Sequence, residues 1–255
     1  MDQKELKKRD WIAGLDRGLA ILEGFDNNCP RMTATQAAQR TGLTRSAARR
    51  YLLTLEHLGY LYSDGKQFGL TPRVLKVGWS YFDSAQLPRI LLPFLQRVTA
   101  ALNESVYVSV LDNWELVFIA RNGAARVMTT GFVLGARMAA HLASPGIMML
   151  AFEPEEKVRA WLAASVLTPF TPYTITDVQR LYAEVEKARA FGYAVVEQQL
   201  QIGVRGIALP LKNRSGEVIA AISVSIPMGS ESREDALARV LPILQETANT
   251  LINHL

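Results

Sequence analysis

The stretch from Thr44 to Leu58 constrains this chain more than any other. Read at about 100° per residue, Ala47, Ala48, Tyr51, Leu52, Leu55 and Leu58 fall on one arc. Arg45, Ser46, Arg49, Arg50, Glu56 and His57 fall on the other. The pattern predicts a helix over Arg45–Leu58 that needs a core on one side and leads with arginine on the other. Thr44 is placed to cap it, its hydroxyl accepting a bond from a free first-turn N–H.

What precedes this helix completes a motif. Leu15, Leu19, Leu22 and Phe25 recur at helical spacing and predict a helix over Asp16–Asp26. Asn27-Asn28-Cys29-Pro30 breaks it, Thr35–Arg40 predicts a short helix, and Gly42 permits a tight turn before Leu43. Helix, short turn and second helix with a basic leading face is an arrangement that enters a DNA major groove. Arginine suits that place, because its planar fork bonds guanine O6 and N7 together or grips phosphate. Downstream, Tyr60-Leu61-Tyr62 and Gln67-Phe68-Gly69-Leu70 flank Ser63-Asp64-Gly65-Lys66, a hairpin signal. A hairpin directly after a recognition helix is a wing, with Lys66 at its tip near phosphate. The first third therefore predicts a winged helix-turn-helix.

Charge agrees with this placement. Asn27 to Leu55 holds five arginines (Arg31, Arg40, Arg45, Arg49, Arg50) and no acidic residue. Residues 1–75 carry twelve Lys/Arg and eight Asp/Glu, and residues 76–255 carry sixteen of each. The whole net charge of +4 thus sits in the first third. Uncompensated positive charge favours a polyanion. The competing reading is an amphipathic helix with a solvated basic face.

The remainder predicts an α+β domain. Thr71-Pro72 starts a linker helix over Arg73–Asp83, and Leu87–Leu102 is helical, with Pro93 early or at a kink. Glu104–Leu111 and Trp114–Arg121 alternate as strands around a turn at Asp112-Asn113, and Arg126–Thr130 is a third strand. Val133–Ala140 is ambiguous. Pro154–Ala164 and Thr176–Phe191 read as helices, the latter capped by Thr176. Tyr193–Val196, Gly206–Leu211 and Glu217–Ile226 read as strands, and Glu234–His254 as a closing helix with Pro242 at a kink or restart. Hairpin strands with helices grouped between them give a mainly antiparallel sheet. The boundaries are 10–71 for the winged domain, 72–86 for the linker helix and 87–255 for the rest.

One small-anion site follows from the residues. Ser144 can cap the apolar helix Ile147–Phe152, with Pro145 in its first position, leaving the N–H groups of Gly146 and Ile147 free at a positive dipole end. Ser223 and Ser225 lie two apart on the last strand and share a face, as polar points in an apolar pocket or as hydroxyls satisfied by backbone.

Other classes of protein are excluded or disfavoured. A chain of 255 residues, 49% hydrophobic and 20% charged, is not disordered. Cys29 alone builds neither a disulfide framework nor a cysteine-based zinc site. His57, His141 and His254 are too dispersed for a metal cluster, so neither metal nor cofactor is expected. Signatures of nucleophile elbows, zinc hydrolases, P-loops and dinucleotide sites are missing from the sequence, and His141 with Ser144 lacks a third partner. The chain does not read as an enzyme. The alternative is a small-molecule-binding or catalytic protein whose basic domain is an interaction module. An RNA module is disfavoured for want of an aromatic-studded sheet. No apolar run of ~18 residues spans a bilayer and no secretory signal is evident, so a cytoplasmic location is expected.

The motifs resemble the IclR family of bacterial transcription regulators over nearly the whole chain. The segments GLDRGLAILEGF (14–25), TATQAAQRTGLTRSAARRYLLTLEHLGYL (33–61) and FGLTPRVLKVG (68–78) resemble its winged domain. GARMAAHLASPGIMMLA (135–151), FGYAVVEQQLQIGVRGIALPLKNRSGEVIAAISVS (191–225) and ALARVLPILQETA (236–248) resemble its GAF-like effector-binding domain. GLTRSAARRYLLTL and LTPRVLKVG are most similar to the branch that controls aromatic-acid catabolism. The resemblance implies a homodimer or dimer of dimers on double-stranded operator DNA, controlled by a small organic effector. It implies DNA contacts at Thr44, Arg45, Ser46, Arg49 and Arg50, with Lys66 helping from the wing. It implies effector contacts at Ser144, Pro145, Glu197, Gly206, Ser223 and Ser225, with Val127 and Thr130 as wall positions. That branch usually carries a basic residue where this chain has Ile147, and Pro145 removes a backbone donor, so the effector's identity stays open.

Overall fold

The computed structural model describes residues 7–84, 86–123, 133–229 and 231–255. These form two compact units, divided after Ser84.

The first unit holds helices α1 (Ala13–Glu23), α2 (Ala34–Thr41), α3 (Arg45–His57) and α4 (Leu75–Ser84), and strands β1 (Arg31–Met32), β2 (Leu61–Ser63) and β3 (Phe68–Leu70). α1 starts three residues earlier than its apolar spacing predicts. Leu15 and Leu19 are exposed, and the helix buries Ile21 instead, with Leu22 and Phe25 packed beside it. α2 begins with a capping box the sequence reading missed: Thr33 Oγ1 accepts from Gln36 N, and the Gln36 side chain accepts from Thr33 N. Gly42 follows at φ 69°, the left-handed turn expected there, and Thr44 caps α3 by accepting from Ala47 N at 3.3 Å. Ala48, Leu52 and Leu55 are buried as their arc predicts. Leu58 is not, because the helix ends at His57 and Leu58 lies exposed just past it.

The wing is a three-stranded antiparallel sheet in the order β1-β3-β2. β1 was not foreseen, since two residues carry no periodicity. Gly69 pairs with Arg31 on one side and Tyr62 on the other. A Cβ there would stand 2.7 Å from the Tyr62 ring, so the missing side chain is what lets that ring lie across the strand. The Arg31 guanidinium sits 5.7 Å from the centre of the same ring. Thr71 Oγ1 then donates to Gly59 O at 2.6 Å and accepts from Arg73 N, starting a short 3-10 turn, Pro72–Val74, that leads into α4.

The second unit is built on a six-stranded sheet in the order β6-β5-β4-β9-β8-β7, antiparallel throughout. The strands are β4 (Ser105–Asp112), β5 (Glu115–Asn122), β6 (Arg137–Ala139), β7 (Ala194–Glu197), β8 (Val204–Lys212) and β9 (Val218–Pro227). Asn113 and Trp114, both at positive φ, form the two-residue turn from β4 to β5. That turn falls one residue later than expected. The third strand expected at Arg126–Thr130 lies outside the described residues, and the ambiguous Val133–Ala140 ends in β6.

Period-two alternation divides the unit into two cores. Val106, Val108, Ile222, Val224 and Ile226 face α5 (Gln86–Leu102) and α9 (Arg233–Ile252). Tyr107, Phe118, Ala208 and Ala221 face α6 (Ser144–Leu150), α7 (Glu155–Ala164) and α8 (Val178–Phe191). α5 and α9 each run through their proline, Pro93 and Pro242, as one helical stretch. α8 is capped by Asp177 rather than Thr176, its carboxylate accepting from Arg180 N at 2.7 Å, and ends at Gly192 with φ 72°. No described helix is long and apolar enough to cross a membrane.

Candidate functional sites

The polar arc of α3 emerges as the sequence places it. Thr44, Arg45, Ser46, Arg49 and Arg50 are all exposed, because the opposite arc is anchored by Ala48, Leu52 and Leu55. Arg45, Arg49 and Arg50 have no acidic partner among the described residues, so their guanidinium groups are available to an outside anion. Arg31 and Arg40, by contrast, are spent within the unit on Asp64 and Asp26. The charge run therefore contains two kinds of arginine, and only the α3 group faces outward unpaired.

At the wing tip, Asp64 Oδ1 accepts from Lys66 N at 2.9 Å and Gln67 N at 2.8 Å, and Arg31 pairs with its other oxygen. These bonds, the two backbone ones foremost, hold the Asp64 carboxyl down at about 2. They close the turn around Gly65, at φ 92°, and leave Lys66 exposed.

In the second unit, a narrow cavity opens between α6, the central strands and the segment after β7, with about 470 Å³ of empty space that is partly open to solvent. Ser144, Pro145, Gly206, Ser223 and Ser225 all line it. The register explains the grouping: Ser223 stands opposite Tyr107 on β4 and Ala208 on β8, and Ser225 opposite Gly206. Ser223 is buried, Ser144 is 2% exposed, and Ser144 Oγ has no hydrogen-bond partner. A Cβ on Gly206 would stand 2.6 Å from that Oγ.

Two expectations change, and two positions lie outside the described residues. Ser144 is not a cap but the first residue of α6, and the Gly146 and Ile147 N–H groups both reach back to Ala143 O, at 3.0 and 3.1 Å. The helix starts too early to leave those donors free, so the anion site expected at its start is not formed. Glu197 does not line this cavity. Its neighbour Val196 does, and strand alternation turns Glu197 away to accept from Arg205 Nε at 2.6 Å. Val127 and Thr130 lie outside the described residues.

Sequence reasoning also missed the aromatic wall. Tyr107 and Phe118 are buried edge to face, 5.7 Å between ring centres, and both line the cavity. A lone tyrosine among the valines of β4 was the available signal. The Gln198–Gln201 segment supplies the opposite wall, and buried Gln199 accepts from Ile175 N at 3.1 Å. Thr171 and Thr174 pin the same segment by donating to Gln198 O and Gln199 O, each at 2.6 Å.

His141, three residues before Ser144, is 4% exposed with neither ring nitrogen bonded, and burial lowers its pKa toward the neutral form. It does not line the cavity, and it makes no hydrogen bond with Ser144, so the pair has no nucleophile–base geometry. Among the described residues, no group of histidine, cysteine and carboxylates is placed to hold a metal.

Residues 79–253 match the family model for the bacterial transcriptional regulator IclR C-terminal domain, and residues 14–65 match the IclR helix-turn-helix domain. The chain belongs to the IclR family. It is therefore a DNA-binding transcription regulator and not an enzyme. The chain is similar to other IclR regulators along almost its whole length. It is 39% identical to the Pca operon regulatory protein of Acinetobacter baylyi over 259 residues, 99% of this chain and 92% of that one. It is 38% identical to the p-hydroxybenzoate hydroxylase transcriptional activator of the same organism, over 98% and 94% of the two chains. Among solved structures, an IclR homologue from Microbacterium hydrocarbonoxydans complexed with 4-hydroxybenzoate has a TM-score of 0.74 at 25% identity, covering 95% of this chain and all of that one.

Proposed function

We propose that this IclR regulator reads an operator with α3 and answers to a small aromatic acid held in the Ser144–Ser225 cavity. The observation that carries the effector half is the buried, unpartnered Ser144 hydroxyl beside the Tyr107–Phe118 pair in a cavity otherwise walled by neutral groups. An unsatisfied buried hydroxyl costs free energy that a ligand's polar group would recover. The aromatic pair offers a ring edge and a ring face to a flat ligand. Ser223 and Ser225 supply further hydroxyl groups on the same sheet face. Support for an aromatic acid comes from the Acinetobacter relative named as the p-hydroxybenzoate hydroxylase transcriptional activator and from the 4-hydroxybenzoate held by the Microbacterium homologue.

In the DNA half, Arg45 and Arg49 read base edges, Thr44, Ser46 and Arg50 hold the backbone, and Lys66 touches phosphate from the wing. The protein acts as a homodimer or a dimer of dimers, so that two winged units meet two half-sites. An effector that binds one state of the regulator better shifts its operator affinity, and equal affinity for both states would shift nothing.

A thermal-shift screen of 4-hydroxybenzoate, other hydroxybenzoates and short aliphatic acids tests the effector. We expect an aromatic acid to raise the melting temperature, and Ser223→Ala or Ser225→Ala to diminish the rise. A stabilising acid whose effect survives both changes and also a bulky replacement of Gly206 would place the site elsewhere.

A further inference from the structure

We propose that the free edge of β7 takes an extended, acidic segment of a partner protein as an added strand. β7 closes one side of the six-stranded sheet. Its neighbour is β8, and among the described residues no strand lies on its far side. The register fixes which backbone groups that edge offers. Ala194 stands opposite Ala208, Val196 opposite Gly206, and Gln198 N donates to Val204 O at 2.8 Å. Alternation in an antiparallel ladder then gives Ala194, Val196 and Gln198 to β8, and turns the N–H and C=O groups of Val195 and Glu197 outward.

Val195 and Glu197 line a single groove with about 640 Å³ of empty space. Arg180 of α8 and Arg233 at the start of α9 line it as well. α8 covers one face of the sheet and α9 the other, so a groove walled by both runs along the sheet's edge. A second hollow continues beside Tyr193 and Val195, past Lys187 and Phe191.

Charge selects the occupant. Glu197 is held by Arg205 at 2.6 Å, and Glu184 by Lys187 at 2.7 Å. Arg180 and Arg233 are exposed, and neither has an acidic partner among the described residues. Arg180 and Arg233 are therefore cations of this groove without an ion-pair partner among the described residues, while its carboxylates Glu184 and Glu197 are already paired. Strand addition draws affinity from main-chain bonds and specificity from side chains at alternate positions. Neighbouring residues of an added strand face opposite sides of the sheet, so two outward donor–acceptor pairs with Arg180 on the α8 side and Arg233 on the α9 side fit a strand that carries carboxylates at neighbouring positions. Edges left open in this way are normally blunted, and β7 is only four residues long, so the added segment is short. The groove shares the Gln198–Gln199 wall with the Ser144–Ser225 cavity, but Arg180, Arg233 and the outward edge of β7 take no part in that cavity, so strand addition does not depend on an effector there.

The test uses the full-length protein and an acetylated, amidated six-residue peptide with two neighbouring glutamates set among valines. Calorimetry should show saturable binding, and hydrogen exchange should show new protection of the Val195 and Glu197 amides. Reversing charge with Arg180→Glu and Arg233→Glu should weaken binding by about tenfold or more. N-methylation of alternate peptide amides should abolish it, because strand pairing needs those donors. Absence of saturable binding at millimolar peptide overturns the proposal. So does binding indifferent to N-methylation, which would be charge attraction alone. A charge-reversed variant that falls from oligomer to monomer would show that a second copy of this chain holds the edge, and overturns it too.

Discussion

Ser144 and Gly206 meet so closely that a methyl group on the glycine would stand 2.6 Å from the serine Oγ and 3.4 Å from its Cβ. The two residues come from α6 and β8, and they bring helix and sheet together at the cavity wall. Gly206→Ala must push the Ser144 hydroxyl aside, into the space a ligand would occupy. We expect about 1–2 kcal/mol of destabilisation and at least tenfold weaker effector binding. Ser144→Ala removes the clashing oxygen, so the double variant should regain most of the lost stability. A thermodynamic cycle of the two changes reads the coupling directly. Additive losses would show that the contact is not what excludes a side chain at residue 206.

Gly146 is excluded from substitution for a harder reason. A Cβ there would overlap the Ala140 carbonyl oxygen and press on Leu116, and a backbone atom cannot rotate away. Gly146→Ala should cost about 3 kcal/mol or more, read by denaturant unfolding of the second unit. Gly192, also in this unit, lies at φ 72° with open space around its Cβ position. Gly192→Ala should cost only about 1 kcal/mol. If the two variants unfold alike, crowding at the start of α6 does not set the packing there.

The carboxyl of Asp64 provides a pH signature for the wing. It is held at about 2, below its ordinary 3.8, by the Gln67 and Lys66 N–H groups first and then by Arg31. A depressed folded-state pKa stabilises the fold above the ordinary value, and that contribution is lost as pH falls from 3.8 toward about 2. Asp64→Asn should therefore lower the melting temperature of the winged unit at neutral pH, and the deficit should shrink across that window. Carboxyl chemical shifts followed against pH give the midpoint. A midpoint near 3.8 would mean that the turn does not hold the carboxylate.

How much of this was legible depends on the range over which each signal acts. Thr44, Ala48, Leu52 and Leu55 announce α3 because helical period and capping are local properties of the chain. Ser223 and Ser225 announce a shared face for the same reason. β1 was invisible because two residues have no period, and its place is set by Gly69 and Tyr62 far along the chain. Glu197 was misplaced because one step along a strand reverses the face, and the resemblance behind it gave position without register. Tyr107 and Phe118 were missed because they become cavity walls only when β9 and β5 flank β4. The α6 start failed on one residue: a helix beginning at Ser144 rather than after it spends the very donors a ligand would need.

The operator face separates two kinds of contact, and so two measurements. Arg45 and Arg49 lie one turn apart on the exposed arc of α3, and neither has an acidic partner among the described residues. If each reads a base edge, Arg45→Ala and Arg49→Ala should each weaken operator binding by about 1–3 kcal/mol and relax sequence preference at one position. Lys66 stands on a turn fixed by Asp64 and carries a single point charge. Its replacement by alanine should weaken all sequences about equally and lower the slope of log K against log salt by about one. Gel-shift titrations at several salt concentrations, on operator and on random DNA, distinguish the two. If the arginine variants lose affinity for both DNAs in proportion, they are phosphate contacts, and base reading falls to other residues of the unit.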